Sequence, residues 1–259
     1  MNFRNDRLPR TWLIDVGNTR VKWTLAGAPE GSATSFIAHG GQVASLESDR
    51  AFAGVREGDA AWVASVAVPA LREHVVQALQ RRGARVHTAS TRPFLAGVRI
   101  SYADPSRLGV DRFLALLAAH ARARQAWLIA NVGTALTLDL LDASGTHHGG
   151  LIVPSPTLMR EALTQRAPHL PVQGGAVVDF ANDTADALAS GSILAARALI
   201  ADRLRAAKRR LGTAPLLLIA GGGATALCDR WRVRAESRAD LVLEGLAVYA
   251  QAASAIPGG

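Results

Sequence analysis

Apolar residues along the chain gather in two ways, as short blocks closed by turn residues and as longer stretches repeating at helical spacing. Leu13 and Ile14 end a buried strand, Gly17 and Asn18 form a turn, and a second strand begins at Val21 and runs to Leu25. That pattern predicts a β-hairpin. Further strands are expected at 33–38, 60–66, Arg85–Thr88 and Leu216–Ala220. Helical spacing predicts a short helix at 41–50 and one at 71–82, with Leu71, Val75, Val76 and Leu79 inward and Gly83 as its cap. Others are expected at 113–120, 158–166, Thr184–Leu211 with a soft break near Gly191, and 240–253. Alternating strands and helices place the chain in the α/β class, a mixed sheet flanked by helices.

A second hairpin almost repeats the first: WLIDVGNTRVKWTL at 12–25 reads against WLIANVGTALTLDL at 127–140. Each is an apolar strand, an acid or amide, Val-Gly, a hydroxyl and a second strand. A repeat at this separation points to two related halves. The first tip carries Asp15, Gly17, Asn18, Thr19 and Lys22. Its N–H groups, with Thr and Lys alongside, can cradle phosphate oxygens, and the carboxylate can hold Mg²⁺ through water. A plain connecting turn is the other reading of those residues. No GxxxxGK[ST] string and no GxGxxG opening a helix occurs, which argues against a P-loop and a dinucleotide fold.

A third stretch begins at Tyr102, YADPSRLGVDRFLALLAAHA. Pro105 and Gly109 mark a loop, so Asp111 and Arg112 fall at a helix N-terminus. An acid there is ordinarily a favourable charge. Beside it, however, Arg112 offers a fork for carboxylate or phosphate, and Tyr102 offers a hydroxyl.

Composition narrows the setting. The chain has 259 residues, 49% of them hydrophobic and 19% charged, enough for two compact domains with cores of their own. A lone cysteine, Cys228, leaves no internal disulfide, and neither a signal core nor an apolar run near membrane-span length is seen. A cytoplasmic enzyme with no membrane role is expected. The net charge of +8 is scattered, and its densest cluster, RLRAAKRR at 203–210, lies on an expected helix end as a solvated face. Few aromatics accompany it, so a nucleic-acid partner is not indicated. His147 and His148 have no spaced Cys or His partners and read as polar strand-end residues rather than metal ligands.

DVGNTRVK, then Tyr102 and GVDR, NVGTALTLD, HHGGLIVPS, NDTADALASG, LIAGGGATAL and DLVLEGL together resemble type III pantothenate kinases, in the same order from Leu13 to Gly245. That family belongs to the ASKHA superfamily. The resemblance implies two similar actin-like or ribonuclease H-like halves, 1–124 and 125–259, each a mixed sheet flanked by helices, with ATP in the cleft between. It implies ATP-dependent phosphorylation of pantothenate to 4′-phosphopantothenate, the first step of coenzyme A synthesis, by a homodimer. Residues Asp15, Val16, Gly17, Asn18, Thr19, Arg20, Val21 and Lys22 match the ATP-phosphate site, joined by Thr134, with Asp15 on Mg²⁺ through water. Gly109, Val110, Asp111 and Arg112 match the pantothenate pocket, with Asp111 as proton acceptor, and Tyr102 and Thr184 match substrate contacts. Gly221 to Gly223 either let backbone approach the nucleotide or form a tight turn before a helix.

Two positions depart from the family pattern. Asn131 stands where the family has the Asp that holds a monovalent cation, K⁺ or NH₄⁺, and Ser155 stands where it has Gly. Another small alcohol as substrate, or a non-catalytic transcription accessory role, are the alternative readings. The pairing of Asp15 with Asp111 disfavours the latter, because a pure binder has no use for a placed base.

Overall fold

The computed structural model describes residues 8–29, 34–40, 42 and 48–255. Two compact units divide the chain: Met1–Arg92 with Ser106–Leu114 and Val242–Gly259, and Pro93–Pro105 with Ala115–Leu241.

The first unit contains β1 (Thr11–Val16), β2 (Arg20–Leu25), β3 (Ser35–Ala38), α1 (Ser48–Ala51), β4 (Ala60–Ser65), α2 (Pro69–Arg81) and β5 (Arg85–Thr88). Its five-stranded sheet runs β3-β2-β1-β4-β5, antiparallel on the β2–β3 side and parallel from β1 through β5. Trp12, Ile14 and Val16 alternate along β1, as do Ala61 and Val63 along β4, and all point to one core. Leu71, Val75, Ala78 and Leu79 of α2 form the helical stripe that covers it. Pro69 starts α2, where a missing N–H costs nothing. At the other end of the sheet the buried Asp59 carboxylate accepts from Arg10 N–H, the Arg10 guanidinium, Trp12 Nε1–H and Arg56 N–H. Burial works against ionisation there, and these donors together hold the Asp59 pKa below the usual value.

Beyond it come the short hairpin of β6 (Phe94–Leu95) and β7 (Val98–Arg99), then α3 (Val110–Arg122). Phe113 through His120 are all buried, so α3 is apolar nearly all round. The second unit continues with β8 (Trp127–Val132), β9 (Ala135–Leu141), β10 (His147–Pro154), α4 (Pro156–Arg166), α5 (Thr184–Leu211), β11 (Leu216–Ala220), α6 (Ala224–Cys228) and β12 (Ala235–Arg238). The last helix, α7 (Leu241–Ser254), returns the chain to the first unit. The second sheet runs β10-β9-β8-β11-β12, the order and sense of the first. Two mixed sheets flanked by helices make the fold α/β, as the repeat implies.

Several expectations need correction. The helix expected at 41–50 lies mostly outside the described residues, which show only α1. Strand β3 starts at Ser35; residue 33 is outside the described residues. Helix α5 runs unbroken through Gly191, since one glycine costs only about 1 kcal/mol in a helix this long. The same helix is long and apolar enough, by length and composition, to cross a membrane, contrary to the expectation that no run approached that length. Its Ala196 and Ile200 instead pack into the core over the second sheet, and Arg197 bonds the Leu227 carbonyl at 2.9 Å. Ser155, where the family has Gly, caps α4, its hydroxyl accepting from Leu158 N–H at 3.2 Å.

Candidate functional site

In the first unit the β1–β2 ladder sets Asp15 opposite Lys22 and Val16 opposite Val21, and Gly17 N–H closes the turn on Arg20 O at 2.9 Å. Cross-strand partners share a face, so the carboxylate and the ammonium emerge on the same side of the sheet. Asp15 and Lys22 are half-buried, while Asn18, Thr19 and Arg20 are exposed at the tip. The Arg20 guanidinium lies over the Phe36 ring, 5.5 Å from its centroid.

The 109–112 turn belongs to the same unit. Val66, just past β4, donates its N–H to Val16 O at 3.2 Å, and its Cγ1 is 3.8 Å from where a Cβ on Gly109 would sit. Through Val66, the start of α3 therefore sits against the C-terminal ends of β1 and β4. That is the end of the sheet from which the hairpin tip projects. Asp111 is in the first turn of α3, with its Oδ1 2.8 Å from Arg112 N–H. The same oxygen is 2.6 Å from the position of a Gly109 Cβ, so only glycine leaves the carboxylate its place. Arg112 is buried.

The second unit holds the other expected residues. Asn131 is opposite Thr137 and Val132 opposite Leu136, and Gly133 N–H closes the turn on Ala135 O at 2.9 Å, leaving Thr134 exposed at the tip. Behind it Gly221, at φ 88°, brings its backbone against Asn131 and Val132: a Cβ there would lie 2.5 Å from Val132 O and 2.7 Å from Asn131 Oδ1. Gly223 N–H bonds Val132 O at 3.0 Å, and α6 follows at once. The three glycines form the tight turn. Thr184 opens α5 next to its cap, Asp183, which accepts from Ala185 and Asp186 N–H at 2.8 and 3.1 Å. It lines an open depression of about 490 Å³ with Leu170, Ala181, Asn182, Asp183, Ala187 and Leu188. None of the other expected site residues lines that depression.

Tyr102 is half-buried and stacks on His147, with ring centroids 6.0 Å apart and planes 10° from parallel. His147 is the first residue of β10, as expected of a strand-end residue. It is fully buried, with Nε2 3.0 Å from Asp139 Oδ1. A signal was available: Leu136 and Leu138 alternate into the core, which puts Asp139 on the opposite face of β9 and in need of a donor from β10. His148 bonds Asp142 in the β9–β10 turn at 2.7 Å. Burial opposes ionisation of Asp142, yet the Ser144 hydroxyl, His148 and the amides of Thr146 and Ser144 pull its pKa down to about 2.

Among the described residues no three His, Cys, Asp or Glu side chains cluster as a metal site. The carboxylate of Asp15, beside the exposed tip of the hairpin, suits Mg²⁺, which keeps much of its water and takes phosphate oxygens as ligands.

A family model described as type III pantothenate kinase matches residues 12–207. A type III pantothenate kinase of Stenotrophomonas maltophilia (strain R551-3) is 50% identical over 240 residues, 92% of this chain and 96% of its own length. One from Xanthomonas axonopodis pv. citri (strain 306) is 49% identical over 243 residues, 94% of this chain and 98% of its own. Among solved structures, a Campylobacter jejuni protein described as a conserved Baf family transcriptional activator aligns with TM-score 0.63 at 19% identity, covering 94% of this chain and 99% of that one. MreB5 of Spiroplasma citri bound to AMPPNP aligns with TM-score 0.51 at 12% identity, covering 96% and 98%. At those identities the two structures show a shared actin-like fold.

Proposed function

The chain belongs to the type III pantothenate kinase family, and from that membership we propose that it transfers the γ-phosphoryl group of ATP to the primary hydroxyl of pantothenate, giving 4′-phosphopantothenate for coenzyme A synthesis. The observation that carries the residue roles is the Val66 N–H bond to Val16 O together with the closeness of the Val66 side chain to Gly109, which sets the Asp111 turn near the strand ends bearing the Asp15–Lys22 pair. An acceptor for a proton and a cradle for phosphate then belong to one end of one sheet.

Asp111 takes the hydroxyl proton as the oxygen–phosphorus bond forms and the bond from Pγ to the β–γ bridging oxygen breaks, releasing ADP. The 15–22 turn binds phosphate oxygens through its N–H groups, Asn18, Thr19 and Lys22, and Thr134 adds a nucleotide contact. Asp15 would hold Mg²⁺, which would neutralise charge on the phosphates. Arg112 pairs with the pantothenate carboxylate, or steers phosphate, while Gly109, Val110, Tyr102 and Thr184 contact pantothenate. Asn131 would offer an amide oxygen to a monovalent cation, K⁺ or NH₄⁺, without the negative charge an Asp would add.

The protein works in the cytoplasm, where ATP is supplied, and as a homodimer. Pairing is supported by apolar groups of the second unit left in water: Ile152 is 63% exposed and Phe180 97%, with Leu151, Leu163 and Val172 also exposed. The test is ATP-dependent phosphorylation by the purified protein, with pantothenate set among other small primary alcohols and the product identified by ³¹P NMR. Selective formation of 4′-phosphopantothenate is the expected result. Preference for another alcohol, or no transfer at all, overturns the proposal in favour of a different kinase or a non-catalytic role.

A further inference from the structure

We propose that His39 is a positioning residue for the phosphate turn, fixing through the Gly17 carbonyl which face of the turn presents its N–H groups. This rests on the turn being the nucleotide-phosphate site. His39 follows β3 and is 3% exposed. Its Nε2 is 3.1 Å from Gly17 O, and because a carbonyl only accepts, Nε2 carries the proton. The His39 backbone N–H bonds Thr19 O at 3.0 Å, and Gly40 N–H reaches the same oxygen at 3.3 Å. The segment after β3 thus holds two carbonyls of the 17–20 turn.

Those carbonyls matter because phosphate is repelled by C=O and attracted by N–H. No peptide bond among the described residues is cis. In a trans peptide the C=O of one residue and the N–H of the next point to opposite sides. Holding Gly17 O toward His39 therefore turns the Asn18 N–H away from it, and holding Thr19 O does the same for Arg20 N–H. Arg20 lies on the β1 side of the turn, where Gly17 N–H meets its carbonyl. A flip of the Gly17–Asn18 peptide would put a carbonyl oxygen where Asn18 N–H now points. The two backbone bonds to Thr19 O do not prevent that flip; the imidazole bond does. The chemical group served is a nucleotide di- or triphosphate, on which His39 acts through the turn.

The test compares His39→Leu, which fills the space without a donor, with His39→Gln, whose amide can donate to the same carbonyl, and His39→Asn, which is too short to reach it. ATP binding is read by calorimetry without pantothenate, and Michaelis constants are measured for both substrates. His39→Leu and His39→Asn are expected to weaken ATP binding and raise its KM about 5- to 30-fold, the span of one hydrogen bond to a group facing charge. KM for pantothenate stays unchanged, and His39→Gln recovers most of the loss. The Asn18 amide cross-peak shifts on adding ATP to the wild type and the Gln variant, and fails to shift in the Leu variant. Equal ATP binding by His39→Leu, or a Gln variant as weak as Leu, overturns the role. A wild type that binds no ATP overturns the phosphate-site reading itself, and is distinguished by needing no variant.

Discussion

In the β1–β2 hairpin the chain takes four residues to turn, from Gly17 to Arg20; in the β8–β9 hairpin it takes three, from Gly133 to Ala135. Both turns are closed by a glycine N–H, and in both sheets the crossover behind donates an N–H to the last strand residue, Val66 to Val16 and Gly223 to Val132. Within this shared frame the chemistry diverges at one register position. The penultimate residue of the central strand is an acid in the first unit, Asp15, and an amide in the second, Asn131. The crossovers diverge as well. After β4 the Val66 side chain lies near Gly109 and the Asp111 turn, whereas after β11 Gly221 has no side chain and its backbone closes on Asn131. The repeated fold thus supplies two equal frames with different side chains at the strand ends, and the roles proposed above give those frames different work.

The largest effect expected from breaking this division is at Asp111. Asp111→Asn keeps the carboxylate's shape and a contact to Arg112 N–H but cannot take a proton, so turnover should fall roughly 10²- to 10⁴-fold. Calorimetry should find ATP binding intact. Near-normal turnover in the folded variant removes Asp111 from the mechanism and leaves the first frame without its base.

Much of this was legible in the chain. The repeat of WLI, an acid or amide, and Val-Gly announced both hairpins, and Arg85–Thr88, Thr184–Leu211 and Leu216–Ala220 appear with the bounds their periodicity implied. The less legible features depend on contacts distant in sequence. Strands β6 and β7, two residues each, are too short for a period to declare itself, and β12, AESR, has one apolar residue and so no alternation to read. The full burial of His147 at the start of β10 does not show in its local pattern, because its partner, Asp139, belongs to the neighbouring strand. Asp15, Asn18 and Lys22 could be named as a candidate phosphate turn, but His39, which holds that turn, lies 22 residues away in a segment with no motif.

Next in size is the contrast between glycines. At Gly221 an alanine meets both a positive φ and the Val132 carbonyl at 2.5 Å, whereas at Gly133 the nearest atom is 3.8 Å away. Gly221→Ala should cost about 2–4 kcal/mol in urea unfolding and Gly133→Ala under about 1 kcal/mol. Equal costs would mean that the second crossover is not held as tightly as its backbone contacts imply.

A smaller effect separates an acid that serves the fold from the acids proposed for chemistry. The Asp142 pKa is lowered from 3.8 to about 2 in the folded chain, so its contribution is complete above pH 3.8 and lost as pH falls toward 2. Asp142→Asn should cost on the order of 1–2 kcal/mol at neutral pH, allowing for its partial exposure, and the difference from wild type should vanish near pH 2. A difference independent of pH would assign the cost to lost hydrogen bonds alone.

The reciprocal exchange of Asp15 and Asn131 tests the central claim most directly, because each substitution gives one frame the other's residue. Initial rates of Asp15→Asn and Asn131→Asp are measured across Mg²⁺ titrations and across K⁺, NH₄⁺, Na⁺ and choline chlorides at matched ionic strength. Asp15→Asn should lose about 10- to 10²-fold in rate, only partly recovered by added Mg²⁺, since a carboxylate for the ion's water shell is gone. Asn131→Asp should keep its rate and shift half-activation to lower K⁺, because the added charge strengthens cation binding. The contradicting result is an Asp15→Asn variant with unchanged rates at every Mg²⁺ concentration, together with no shift in K⁺ for Asn131→Asp.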